Sequence, residues 1–316
     1  ERIAGMISVV IPLYNKEKQI AATLQSVLQQ TFQDFEVVIV NDGSTDGSAA
    51  AAETVKDGRI RIIHQENAGV SCARNVGIEA SKGDYLVFID ADDHVTPNHL
   101  STLYDGKSDF SLILYVKEDG DKLIHMDTYS EDMISTEDFI KKELNMEITF
   151  NFFQLMYKSS IIKDNNIRFT PGTVYGEDTE FAHKALFHGR QIAINNEVTY
   201  YYVQHSESAI KTTEYRRFGV IKIFEDLADF YNKNNKPELA NLIITSRIPK
   251  AIFGNMNFFF HNGYDFDEVL GKMKELDLLT KLSRYQGDSK FKLKIRLFLL
   301  NPRIYYKTWM KLKNSI

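Results

Sequence analysis

At 316 residues, 43% hydrophobic and 26% charged, the chain can bury a large core, which excludes a disordered, collagen-like or low-complexity protein. Its single cysteine, Cys72, excludes an internal disulfide and any cysteine-built zinc or iron–sulfur site, and fits a reducing cytosol. The net charge of −5 hides an asymmetry, because Lys290 to Ile316 holds eight basic residues and no acidic one.

Glu1 to Gly5 lacks the apolar run of a targeting signal and reads as a remnant ahead of the fold, which is taken to begin at Met6. No stretch approaches the roughly 18 apolar residues of a spanning helix. Strand-like runs follow at Ile7 to Pro12, Phe35 to Asn41, Ile60 to His64, Tyr85 to Asp90 and Phe110 to Tyr115. Between the first two, Ile20, Leu24, Val27 and Leu28 recur at helical spacing. Val9-Val10-Ile11 and Val37-Val38-Ile39-Val40 are continuous apolar runs, as expected for strands covered on both faces of a parallel sheet. The pattern predicts an α/β fold with an open, mostly parallel sheet and helices on both faces. In such sheets ligands bind beyond the carboxyl ends of the strands, where Tyr14, Asn15, Asn41, Asp42, Asn67, Asp90, Asp92 and Asp93 fall.

Lys117 to Ser135 is polar and irregular, a hairpin or excursion. Ser135 with Asp138 forms a capping-box pattern that starts a helix through Leu144. Phe150 to Tyr157 reads as a strand, Glu177 to His188 as a helix stopped by Gly189, and Ile192 to Val203 as a strand. From about Thr213 four helical segments follow, near Tyr215 to Asn234, Pro237 to Phe260, Asp265 to Leu279 and Lys290 to Leu312. The expected division is a catalytic domain over 6–212 and a helical C-terminal extension over 213–316.

Phe88-Ile89-Asp90-Ala91-Asp92-Asp93 is a strand ending in spaced carboxylates, hard oxygen ligands suited to Mg²⁺ or Mn²⁺ carrying a diphosphate. An isolated Asp-x-Asp would more often be a cap or a solvated turn. Asp42 can accept the N3–H of uracil, a donor that cytosine lacks; Asp46 fits an Asx turn capping the next helix. Arg74, early in a helix, can meet a phosphate or a base. No Walker or Gly-x-Gly-x-x-Gly pattern supports a kinase or a dinucleotide-binding dehydrogenase. His94 with His99, and His183 with His188, stand five apart, a spacing that does not align metal ligands on one helix face.

Val9 to Asn15, Asn41 to Asp46, Asn67 to Gly77 and Asp90 to Asp93 stand in the order and approximate spacing of one family. The chain resembles a family 2 glycosyltransferase of the GT-A fold, of the bacterial polysaccharide or glycoconjugate type, over about Ile7 to Ser208. The resemblance implies that Pro12, Tyr14, Asn15 and Glu17 line the nucleoside pocket, with Asp42 on uracil. Asn67 and Arg74 would contact the nucleotide, Asp90 and Ala91 would approach ribose and sugar, and Asp92 would ligate Mn²⁺ or Mg²⁺. Tyr175-Gly176-Glu177-Asp178 matches the family's second acidic pair, with Asp178 as general base and Glu177 orienting base or acceptor. His205 would reach the metal or the diphosphate, its alternative being a surface loop histidine.

The implied reaction moves a sugar from a UDP-sugar donor, with inversion, to a hydroxyl of a glycan or lipid-linked glycan acceptor. Two alternatives stay open: transfer to a polyprenyl phosphate, and a non-catalytic nucleotide-sugar-binding assembly subunit. The basic tail over 290–316 suits an anionic membrane surface, with Tyr305, Tyr306 and Trp309 at headgroup depth. Alternatively it packs its apolar face on the domain and leaves its lysines in water. The expected location is cytoplasmic, peripheral to the inner face of the membrane if the tail binds lipid. No nucleic-acid module is recognised, and the rest of the surface is acidic.

Overall fold

The computed structural model describes residues 5–126, 128–173, 175–204 and 215–313. In chain order its strands are β1 (Ile7–Leu13), β2 (Phe35–Asp42), β3 (Ile60–Gln65), β4 (Tyr85–Phe88), β5 (His94–Val95), β6 (Phe110–Asp119), β7 (Lys122–His125), β8 (Met133–Ser135), β9 (Leu155–Lys158) and β10 (Gln191–Val203). They build one sheet in the order β3-β2-β1-β4-β9-β6-β10-β5, with β7 on the free part of β6 and β8 on β10. The first four run parallel to one another.

The β-branched runs explain that parallel half. Val9, Val10, Ile11 and Val37 through Val40 are wholly buried, so each contributes roughly 1.5–3 kcal/mol of burial. The helix Val70–Ala80 packs against β1 and β2. It comes so close at Gly77 that an added Cβ would overlap Cγ1 of Val10. Glycine is required there by space.

Beyond β4 the sheet departs from the mostly parallel expectation. Strand β9 runs antiparallel to both β4 and β6, while β6 and β10 are again parallel. Between β6 and β9 the chain passes through the β6/β7 hairpin, β8 and a helix, and after that helix it enters β9 at the end of the sheet where β6 finishes. The run Phe150 to Tyr157 is accordingly not one strand. Asn151 and Gln154 cap each other across a 3₁₀ turn at Phe152–Gln154, and the strand begins only at Leu155. The expected helix after Ser135 forms over Thr136–Leu144, with Ser135 Oγ accepting from the Asp138 N–H at 3.0 Å.

Two compact units are distinguished: residues 1–140, 149–173 and 177–212, and residues 141–148, 174–176 and 213–316. The second is helical among its described residues, with Val220–Lys233, Ile248–His261, Phe266–Glu275, Ser289–Leu300 and Pro302–Lys313 its longer helices. Asp265 and Asp288 cap two of these by accepting backbone N–H groups. The last pair is broken at Asn301, whose extended φ of −151° fits a residue preceding proline. Tyr305 packs on Phe253 and Phe298, Tyr306 on Phe260 and Phe266, and Trp309 on Phe260. The Phe-rich helix Ile248–His261 offers these rings an apolar surface, against which all three are half-buried.

Candidate active site

Parallel β1, β2, β3 and β4 end at one edge, so the loops that follow them meet. Gly43 (φ +65°) lets the loop after β2 turn and run against the loop after β3, where a Cβ would lie 2.7 Å from the Asn67 nitrogen; only glycine takes that conformation without strain. A cavity of about 500 Å³ opens at this edge. Of the residues singled out from the sequence, Pro12, Tyr14, Asp42, Asn67, Arg74, Asp90, Ala91 and Asp92 line it, joined by Lys16 and Tyr202.

Asn15 and Glu17 do not stand in that lining. Asn15, at φ 49°, accepts the Thr45 N–H at 2.8 Å, and Glu17 accepts the Gly47 N–H at 3.2 Å. Both hold the loop over 44–48 that follows β2. Asp46 accepts the Ser48 N–H at 2.9 Å, the Asx turn expected of it. His205 lies outside the described residues.

Asp42 does two things at once. Its Oδ1 accepts from Gln65 Nε2 and the Ala68 N–H, and its Oδ2 from the Gly69 N–H, at 2.7, 2.9 and 2.9 Å. These bonds fix the turn that launches helix Val70–Ala80. A carboxylate offers about four acceptor positions, so an N–H from a ligand in the cavity can still be received.

Arg74 is buried on that helix. Its Nη2 donates to Asp90 Oδ1 at 2.9 Å, and Nη1 lies 3.8 Å from Glu177 Oε1. The guanidinium sits 4.4 Å from the Phe152 ring centroid and 5.3 Å from that of Phe169, a cation–π seat that fixes its plane. Nε is buried and makes no hydrogen bond among the described residues, a donor whose satisfaction by a ligand would be favourable.

A second cavity of about 480 Å³ adjoins the first. Glu177 and Asp178 line it with Tyr115, Lys117, Asn151 and Phe152, and Arg74, Asp90 and Tyr202 stand in the walls of both cavities. Burial, and after it the Asp178 carboxylate, pushes Glu177 above the ordinary carboxylate range, against the pull of Arg74. Two neighbouring carboxyl groups at a helix start are thus placed in a cleft where one holds its proton longer than usual.

Two contributors, Lys16 and Tyr202, escaped the sequence reading, and a third, Asp93, was placed at its strand end without the partner it finds. Lys16 donates to Asp92 Oδ2 at 2.5 Å; its position inside the Tyr14 to Glu17 segment was the available signal. Asp93 is buried, accepting from Tyr200 Oη at 2.6 Å and the Val203 N–H at 2.9 Å, and so ties β10 to the acidic turn. Burial, then Asp90, raises its pKa well above the usual range. Tyr202, two residues beyond Tyr200, follows into the cleft, its phenol pushed up to about 12 mainly by burial.

For a metal, the donor chemistry is selective. Among the described residues no three His, Cys, Asp or Glu side chains are grouped to hold an ion, so an all-protein cage does not fit. Asp92 and Asp90 in one cavity wall do fit Mg²⁺ or Mn²⁺ bound by one or two carboxylates and completed by substrate phosphates and water.

Glycosyl transferase family 2 matches this chain over residues 8–162. EpsH of Bacillus subtilis (strain 168), which bears a provisional glycosyltransferase name, is 32% identical over 246 residues, spanning 73% of this chain and 71% of EpsH. The glycosyltransferase GlyG of Streptococcus pneumoniae serotype 4 is 30% identical over 228 residues, spanning 66% and 74%. Among solved structures, S. aureus TarS 1–349 in complex with UDP-GlcNAc shares the fold at a TM-score of 0.73 and 20% identity, covering 95% of this chain and 88% of that one.

Proposed function

This chain belongs to glycosyl transferase family 2, and we propose from that premise that it moves a sugar from a UDP-sugar to a hydroxyl of a glycan or lipid-linked glycan, with inversion. The observation that carries the proposal is that Arg74 and Asp90 stand in the walls of two adjoining cavities. Donor and acceptor bound in the two would face each other across the same pair of side chains. TarS, the fold neighbour, was solved with UDP-GlcNAc and with UDP, which supports a uridine donor here.

In this reading Asp42 receives the uracil N3–H, Asn67 borders the nucleotide, and Tyr14 and Pro12 flank the base. Mn²⁺ or Mg²⁺ would be held by Asp92, with His205 a further candidate ligand, and would supply positive charge beside the departing diphosphate. Arg74, anchored by Asp90, adds charge of the same sign.

Asp178 takes the proton of the acceptor hydroxyl. The acceptor oxygen then bonds to the anomeric carbon, the bond from that carbon to the diphosphate oxygen breaks, and its electron pair leaves with UDP. Glu177, which burial keeps protonated to higher pH than an ordinary carboxyl, orients the acceptor or the base. One base suffices for direct displacement, so an α-linked donor gives a β-linked product.

A thermal-shift panel tests the donor assignment. UDP-sugars with Mn²⁺ are expected to raise the Tm, whereas cytidine and guanosine diphosphates are not, since only a ligand of the folded state stabilises it. No response to any uridine nucleotide overturns the reading.

A further inference from the structure

We propose that the outer face of the helix Ser289–Leu300 docks this protein on an anionic lipid surface. On this helix Ile295 and Phe298 are buried, Phe298 against Phe253 and Tyr305. Leu293, Leu297 and Leu300 are instead 57%, 51% and 83% exposed. At about 100° per residue these three leucines fall on one narrow strip opposite the packed face. Lys290 and Lys294 flank the strip on one side, Lys292 and Arg296 on the other. Past the break at Asn301, Ile304 is 62% exposed, on a helix that also exposes Lys307 and Lys311.

A continuous apolar strip between two rows of cations is an arrangement that water alone does not favour. It matches a bilayer interface, where leucines enter the acyl boundary and lysines meet lipid phosphates. No acidic residue lies between Lys290 and the last residue, so a second copy docking through the same strip would set basic rows against each other. A nucleic acid would satisfy the cations and leave the leucines wet, with no exposed ring on the strip to stack a base. Among the described residues no helix is long and apolar enough to cross a membrane, so the contact is one of lying on the surface. With Tyr305, Tyr306 and Trp309 half-buried against neighbouring rings, the contact rests on the exposed leucines and on charge, and is steeply dependent on salt and lipid composition.

The test is flotation of the full chain with phosphatidylcholine vesicles, with and without phosphatidylglycerol. Binding is expected only with the anionic lipid and is expected to fade in high salt. The triple variant L293S/L297S/L300S, altered only at exposed positions, should bind at least about tenfold less, as should K292E/K294E. Neither variant should change the far-UV circular dichroism or the Tm. Vesicle binding needs no sugar donor, so its outcome is separate from that of the transfer reaction. The proposal is overturned if wild type fails to float, floats equally on neutral lipid, or is matched by the serine variant. It is equally overturned if wild type proves to be an oligomer that the serine variant converts to monomer, which would make the strip a self-association surface.

Discussion

The Lys16 ammonium lies 2.5 Å from the Asp92 carboxylate, so the residue expected to ligate a cation already holds one that the chain supplies. On the proposed function a metal at Asp92 would compete with the lysine, and an incoming diphosphate would offer oxygens to both. The pair is partly open to water, which limits its strength to about 1 kcal/mol. The variant Lys16→Met should therefore strengthen Mn²⁺ binding to the nucleotide-free protein roughly three- to fivefold, read by Mn²⁺ electron paramagnetic resonance. The same variant should weaken UDP binding at saturating Mn²⁺, read by calorimetry. Unchanged Mn²⁺ affinity would mean that the ion does not use Asp92.

Arg74 is held by Asp90 on one side and by the Phe152 and Phe169 rings on the other. A lysine keeps the charge and loses both the planar stack and the second donor. Arg74→Lys should cost about 1–3 kcal/mol in urea unfolding and weaken UDP binding at least about tenfold. Full stability together with full affinity in that variant would show that the seat is incidental.

The parallel half of the sheet was readable because β1 and β2 are continuous apolar runs with a helical pattern between them. Asp42, Arg74, Asp90 and Asp92 could be picked out because each sits where such a strand ends or the next helix starts. What could not be read depends on partners far along the chain. The antiparallel β9 is set by β4 and β6, not by its own four residues. Asp93 finds Tyr200 across 107 positions, and the ring box around Arg74 brings Phe152 and Phe169 onto a helix that ends at Ala80. Lys16 was hidden for another reason: between Asn15 and Glu17 it looks like one more solvated charge, and only the folded cleft puts it on Asp92.

Asp178 and Glu177 are adjacent in sequence and should separate in kinetics. Asp178→Asn removes the proposed base and should lower kcat for a hydroxyl acceptor by about 10²–10⁴-fold, with UDP affinity changed by less than about twofold because Asp178 lines the second cavity and not the first. Glu177→Gln keeps a hydrogen-bonding group and should act mainly on the acceptor KM. Retained turnover in Asp178→Asn would instead favour a phosphate acceptor, whose oxygen needs no deprotonation.

His99 should make the fold sensitive to acid independently of catalysis. It is fully buried, its Nδ1 lies 2.9 Å from Thr199 Oγ1, and its Nε2 is buried without a hydrogen-bond partner among the described residues. Burial lowers its pKa to about 3. Below about pH 6.5 the unfolded chain takes up a proton that the folded protein refuses, so stability is lost as pH falls from about 6.5 toward 3. From pH 7 to pH 5 that loss is about 2 kcal/mol. Asp93 acts in the opposite sense: its raised pKa means that the folded state binds its proton first, which adds stability on acidification until the unfolded carboxyl also protonates near 4. The two effects are separated by comparing wild type with His99→Gln in urea unfolding at pH 7 and pH 5. The variant gives up packing by a similar amount at both values, so only the slope with pH is diagnostic. Its stability should fall about 2 kcal/mol less than that of wild type on acidification, and parallel losses in the two proteins would show that the imidazole is protonated inside the fold.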